Sequence, residues 1–127
     1  MDAPPERQPP LRLLDRQRDG ARERAAFALA IDPGSLYLQG HFPGFPIVPG
    51  VALLVAVVLP GLRRLWPELP PPRRLGRVKF RSPVLPGDAL TLHLERDGES
   101  VRFRLERDER GDARCAEGTL EFPASAA

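Results

Sequence analysis

The sequence predicts an α+β domain in which one antiparallel sheet of five to six strands wraps around one long central helix. Three observations predict it. First, the 127 residues, 42% apolar and 28% charged, suffice for a single domain with its own core. Second, one unbroken apolar run, residues 51–59, has no polar face, and a helix apolar all round is buried all round. Third, the last third of the chain alternates apolar and polar residues in short stretches separated by glycine-containing turns, the pattern of consecutive half-buried strands.

Each element follows in order. Residues 1–10 include Pro4, Pro5, Pro9 and Pro10 and are expected to be a disordered tail. The domain is expected over residues 11–122, with a second tail at 123–127. Leu11, Leu13 and Leu14 suit a short strand or a single helical turn. Asp19-Gly20 is a turn signal. Over residues 24–31, Ala25, Phe27, Leu29 and Ile31 alternate with small alanines, which predicts a strand. Residues 37–49 hold Pro43, Gly44, Pro46 and Pro49, which exclude a regular helix or central strand and leave a loop. The helix is predicted to begin at about Gly50 and to run on toward Trp66, at its end or an interface. Pro60 removes a backbone donor, so a kink is expected near residues 57–61. Strands are predicted at residues 77–82 (Val78 and Phe80 as core positions), around Leu90, Leu92 and Leu94, around Val101, Phe103 and Leu105, and at 113–122. The turns between them are Pro86-Gly87-Asp88, Asp97-Gly98 and Gly111-Asp112.

Composition excludes several classes. The one cysteine, Cys115, rules out an internal disulfide and a cysteine-based zinc site. Cys115 reads as a small core residue, since no histidine is near it in sequence. Two histidines make a histidine-rich metal centre a poor fit, and no metal is expected. His93 reads as a surface residue on the polar side of its strand. No secretory segment is legible at the start, and the longest apolar run is nine residues, against the ~20 a spanning helix needs. The expectation is therefore a cytoplasmic protein with no membrane span. The formal net charge is +2, but residues 63–81 carry seven basic residues against the single acid Glu68. That stretch suits an anionic partner, or equally a solvated surface in an arginine-rich chain. Nucleic acid is not expected, because Val78 and Phe80 interleave with the cations as core residues.

The most informative segment is Gly40-His41-Phe42-Pro43-Gly44-Phe45-Pro46-Ile47-Val48-Pro49-Gly50-Val51. It sets one group that titrates near neutrality in a proline-locked apolar loop that leads into the predicted helix. A histidine there can serve as general base or acid. A helix N-terminus offers free N–H groups to an oxygen gaining charge, and glycine at position 50 lets a substrate approach the backbone. On these residues alone, His41 is as well read as a structural histidine as a catalytic one.

The segment resembles the signature G-H-F-P-G-x-P-x-x-P-G-V of the 3-hydroxyacyl-acyl-carrier-protein dehydratases, the FabA/FabZ-like branch of the hotdog superfamily, which includes aryl-polyene dehydratase-like members. Every fixed position matches. Lys79-Phe80-Arg81-Ser82-Pro83-Val84-Leu85-Pro86-Gly87-Asp88 is similar to a second family block, Cys115-Ala116-Glu117-Gly118-Thr119 to its final strand, and Leu13-Leu14-Asp15-Arg16 to its first. The resemblance implies a hotdog fold and a homodimer, or a heterodimer with another hotdog protein, with sites at the subunit interface. It implies conversion of 3-hydroxyacyl to trans-2-enoyl thioesters on acyl carrier protein or coenzyme A, in fatty acid or polyketide-like biosynthesis. No cofactor is implied, since phosphopantetheine carries the substrate. His41 matches the catalytic histidine and Gly50 the glycine whose N–H binds the thioester carbonyl. Val51 belongs to the same substrate-binding stretch, and Phe45 is expected to line the acyl pocket. Arg73, Arg74, Arg77 and Arg81 fall where the family docks its carrier. The family's helix acid, fourteen residues after the histidine, is here Val55, and no Asp or Glu occurs at residues 33–67. The alternatives are a non-catalytic subunit that binds acyl thioesters beside an active homologue, and a hotdog thioesterase.

Overall fold

A computed structural model describes residues 10–30, 54–82, 84–85, 87–107 and 114–123, the side chains of Val55 and Ala56 excepted. The loop expected at 37–49, the expected helix start at Gly50, and nearly all of both expected tails lie outside the described residues.

Six strands, β1 (Arg12–Asp19), β2 (Arg22–Ala30), β3 (Arg74–Phe80), β4 (Ala89–Asp97), β5 (Ser100–Arg107) and β6 (Arg114–Glu121), form one antiparallel sheet ordered β1-β2-β4-β5-β6-β3. Between β2 and β3 the chain makes a π-helical turn, Leu54–Val58, followed directly by α1, Leu59–Leu65. Of the two readings of the leucines at 11–14, the strand is the one realised, and β1 forms the sheet's first edge.

Strand periodicity builds the core. Phe27 pairs with Leu92, Leu92 with Leu105, and Leu105 with Ala116. Directly opposed residues share a face, so these four form one transverse row of the inner surface. Ala25, Leu94, Phe103 and Gly118 make the next row by the same register. Val57, Val58, Leu62, Leu65 and Trp66 from the helical segment complete this core. Gly61 lies close against the sheet: a Cβ there would lie 2.9 Å from Leu92 Cδ2.

Three expectations need correction. β3 begins at Arg74 rather than Arg77, emerging just after the proline run. It is also irregular: Gly76 pairs with Thr119 and Lys79 with Glu117, leaving Arg77 and Val78 to share the span of Gly118. Such a bulge breaks the simple alternation of Arg77, Lys79 and Arg81 over one face, and Arg77 takes φ 53° within it. Finally, Phe80 is not a core residue. It ends an inward-facing row beside Ala116, but on the outermost strand it is 52% exposed, as Leu75 is 46% exposed.

The kink expected near Pro60 has a definite form. The switch from π-helical to α-helical turns falls between Val58 and Leu59, and Pro60 lies in the first turn of α1. A proline there forgoes a hydrogen bond that a helix start leaves unmade anyway. Among the described residues, no helix is long and apolar enough to cross a membrane.

Candidate functional site

His41, Phe45, Gly50 and Val51 lie outside the described residues. Val55 is placed by its backbone in the π-helical turn. The described structure shows how the segment receiving the motif is held, and where the four arginines fall.

The C-terminal end of α1 is latched to β1 and β2. Trp66 closes the helix, its backbone N–H donating to Leu62 O at 2.8 Å. Its indole Nε1–H donates to Glu23 Oε1 at 2.9 Å. Arg16 donates to the other Glu23 oxygen, and also to the Leu65 carbonyl at 3.1 Å, where a cation complements the negative end of the helix. Arg64 donates to the Leu11 carbonyl. Glu23 is only 7% exposed. The Trp66 indole first, then Arg16 and Arg18, hold its carboxyl below the ordinary value of 4.5, against the opposing push of burial. Arg96 extends the cluster, stacking over the Trp66 ring at 5.5 Å and pairing with Glu68 at 2.8 Å. Sequence reading located Trp66 at the helix end but missed its partner. The available signal was phase: Glu23 sits in the alternating set of Ala25, Phe27 and Leu29, where a charge needs a buried partner.

Within the block at residues 79–88, Leu85 and Asp88 are joined by two hydrogen bonds. Leu85 N–H donates to Asp88 Oδ2 at 2.8 Å, and Asp88 N–H returns to Leu85 O at 3.1 Å. Arg107 Nε lies 3.3 Å from Asp88 Oδ2, and Val84 is buried beneath. The N–H groups of Arg81 and Ser82 both reach Cys115 O, at 2.8 and 3.3 Å. Cys115 is buried, which pushes its thiol pKa up. It is the packing residue its sequence context predicts.

The four arginines are not equivalent. Arg74 and Arg77 lie on β3, Arg73 just before it and Arg81 just after. Arg74 pairs with Glu121 at 3.7 Å. Arg81 grips Glu117 with two nitrogens, at 3.1 and 3.3 Å. Arg81 first, with Arg114, keeps the Glu117 carboxyl below its ordinary value. Arg73 and Arg77 make no ion pair with a described carboxylate. His93 lies on the sheet face away from the helix, 3.1 Å from Glu106, in a broad polar trough also lined by Arg24, Glu95, Arg102, Arg104 and Glu117. Among the described residues, no group of three His, Cys, Asp or Glu side chains could hold a metal ion.

Comparison with known proteins adds the rest. The ApeI-like family model, described as ApeI dehydratase, matches residues 16–119. The chain is 33% identical to the 3-hydroxyacyl-[acyl-carrier-protein] dehydratase FabZ of Lactococcus lactis subsp. cremoris, covering 96% of this chain and 90% of that one. It is 35% identical to the FabZ of Symbiobacterium thermophilum, covering 96% and 92%. A match to the FabZ of Koribacter versatilis, 35% identical, covers 68% of this chain and only 60% of that protein. Among solved structures, the dehydratase heterocomplex ApeI:P from Xenorhabdus doucetiae contains a chain 26% identical, with TM-score 0.70 over 88% of this chain and 96% of that one. The PaaI protein of E. coli, 12% identical with TM-score 0.55 over 87% and 82%, shares the fold alone.

Proposed function

We propose that this chain, which belongs to the ApeI-like dehydratase family, dehydrates 3-hydroxyacyl thioesters to trans-2-enoyl thioesters carried on an acyl carrier protein. The observation that carries the reading is the complete motif from Gly40 to Val51 in a chain that aligns over 90% or more of the length of relatives named for this reaction. In the reaction, His41 accepts the proton alpha to the thioester carbonyl while the Gly50 N–H bonds to the carbonyl oxygen, which gains charge. The C–H and C–O bonds break, the C=C bond forms, and hydroxide leaves as water with the proton His41 returns. Val55 cannot donate a proton, and residues 33–67 offer no carboxyl. A general acid is typically worth about 10²–10⁴-fold, so His41 acting alone implies a slower enzyme than a two-residue site.

Subunit pairing and carrier docking belong to the same reading. β3 is a sheet edge with Leu75 and Phe80 exposed on its inward side, and an edge of that kind calls for a cover. A second hotdog subunit would supply it, either another copy or a homologue. For the acidic carrier, Arg73 and Arg77 offer charge that pairs with no described carboxylate, whereas Arg74 and Arg81 are already matched to Glu121 and Glu117.

One observation favours a second reading. The missing helix acid, with a heterocomplex among the structural neighbours, suits a subunit that binds acyl thioesters beside an active partner. The test is an assay of the purified protein with a short 3-hydroxyacyl thioester, following enoyl formation and the reverse hydration. Wild-type turnover that His41→Ala reduces by about 10²-fold or more, with unchanged thermal unfolding, is the expected result. Turnover indifferent to His41→Ala overturns the site. No turnover alone, restored by adding a hotdog partner, selects the second reading.

A further inference from the structure

Charge on the sheet follows a rule that the strand register makes visible. Wherever two described Asp, Glu, Lys or Arg residues stand opposite each other on neighbouring strands, their signs differ. On the face away from the helix, Arg22 and Arg24 of β2 face Asp97 and Glu95 of β4. Glu95 also faces Arg102 of β5, and Arg104 of β5 faces Glu117 of β6. Glu117 and Glu121 in turn face Lys79 and Arg74 of β3. Even Glu106 and Arg114, which reverse the sign carried by the rest of their strands, oppose each other. Opposite charges directly across a strand pair stabilise a sheet, and like charges weaken it.

The alternation stops at β3, the sheet's edge. The two sides of this strand differ in character. Its inner side is apolar and open, with Leu75 and Phe80 exposed. Its outer side is cationic: Arg74 and Lys79 stand on it, and Arg77, from the bulge, lines the polar trough of the same face. Arg77 and Lys79 make no ion pair with a described carboxylate, and residues 69–87 contain no acid. A strand laid against β3 would lie about 4.8 Å away. To cover the edge it must present apolar residues inward; to keep the charge rule it must present acids outward. A second copy joined β3 to β3 fails the second condition in every register, since its own residues 69–87 bring only cations. β1 of another copy offers Asp15 and Asp19 outward, but sets Arg16 and Arg18 on the side that must meet Leu75 and Phe80.

We propose that β3 selects its partner by charge: it takes the edge of a different subunit, apolar on the inner side and acidic on the outer, in preference to a second copy of this chain. The proposal rests on the reading that a second subunit covers β3, and adds the chemistry by which that subunit is chosen. Arg74, Arg77 and Lys79 then repel the identical edge and attract the acidic one, so one set of side chains rejects the wrong partner and holds the right one. Cations on an edge strand, and a bulge such as that at Arg77, also discourage unselective strand addition.

The test uses the full chain, with an acidic-edged copy of it as the probe. Arg77→Glu with Lys79→Glu makes that probe. Arg77→Gln with Lys79→Gln makes a neutral edge that adds no like charge beside Glu117. Circular dichroism and thermal unfolding check that each is folded, and sedimentation equilibrium gives the dissociation constants. At low salt, wild type should self-associate weakly, and the neutral edge at least about tenfold more tightly. An equimolar mixture of wild type and probe should associate more tightly than either alone. Added salt should weaken the mixed pair and strengthen the wild-type one. Wild-type self-association as tight as that of the neutral edge overturns the proposal, as does a mixture no tighter than wild type alone. If the probe does not fold, wild type against the neutral edge at two salt concentrations still decides the matter. Association that Leu75→Ser with Phe80→Ser abolishes, but that is indifferent to charge, leaves the pairing standing and overturns only its selection. A mixed pair that survives Leu75→Ser with Phe80→Ser in both copies overturns the β3 pairing itself, and the proposal with it.

Discussion

At the scale of single residues, two glycines show how much a close approach can depend on its neighbour. A Cβ on Gly118 would sit 2.6 and 2.8 Å from ring carbons of Phe103 and 3.0 Å from Val78. The Phe103 ring is rigid and would be met on two carbons at once, so the whole ring would have to shift, whereas a leucine can move one methyl by turning its side chain. Overpacking of that kind costs about 1–3 kcal/mol. At Gly61 the obstacle is the far end of the Leu92 side chain at 2.9 Å, which can turn aside. Alanine also gains roughly 0.8–1.0 kcal/mol over glycine within a helix. Gly118→Ala should therefore lower stability clearly in urea unfolding, and Gly61→Ala should change it little. Equal effects would mean that the Phe103 ring is free to move. Neither difference is visible in the sequence, where both positions are simply glycine.

At the scale of elements, the latch between α1 and β2 gives the molecule an acid-sensitive joint. The Glu23 carboxyl has a lowered pKa in the folded protein, so it binds its proton more weakly there than in the unfolded chain. The unfolded state then takes up more protons, and stability rises with pH. This contribution is complete above the ordinary carboxylate range and is lost as the pH falls through the lowered folded value. Glu23→Gln, which keeps an acceptor for Trp66 but loses the charge toward Arg16, should be less stable than wild type near neutrality by about 1–2 kcal/mol. The gap in Tm should narrow as the pH is taken from about 6 to about 3. A gap that stays constant would assign the latch to packing rather than charge.

At the scale of the whole molecule, the sheet has two open edges with different characters. All eight residues of β1 are exposed, among them Leu13, which stands opposite Phe27 and is 41% exposed, but the same side of this strand also carries Arg16 and Arg18, which meet Glu23. β3 instead ends two core rows with Leu75 and Phe80, so the hydrophobic layer runs out to its edge uncovered. Under the proposed subunit pairing, β3 is the edge expected to meet the second subunit. The paired substitution Leu75→Lys and Phe80→Lys should leave the circular dichroism spectrum unchanged and shift sedimentation toward the monomer, because lysine blunts edge pairing. Association that persists would move the interface elsewhere.

Much of this was legible in the chain itself. Alternation specified the strands from β4 to β6, because a period of two with one apolar face admits few other structures. The all-apolar run marked the helical segment, and Pro60 marked the place where it changes. The motif around His41 identified the family by its residues alone. What local pattern could not supply were relations between distant segments. The bulge at Arg77 arises from fitting β3 to β6, and the exposure of Phe80 from its strand's place at the edge, since strand order decides which apolar residues are covered. The latch joins Trp66 and the Leu65 carbonyl to Glu23 and Arg16, more than forty residues away in sequence, and a long separation likewise hid which arginines are neutralised. Periodicity reports the face on which a residue lies; only the assembled sheet decides what stands opposite it.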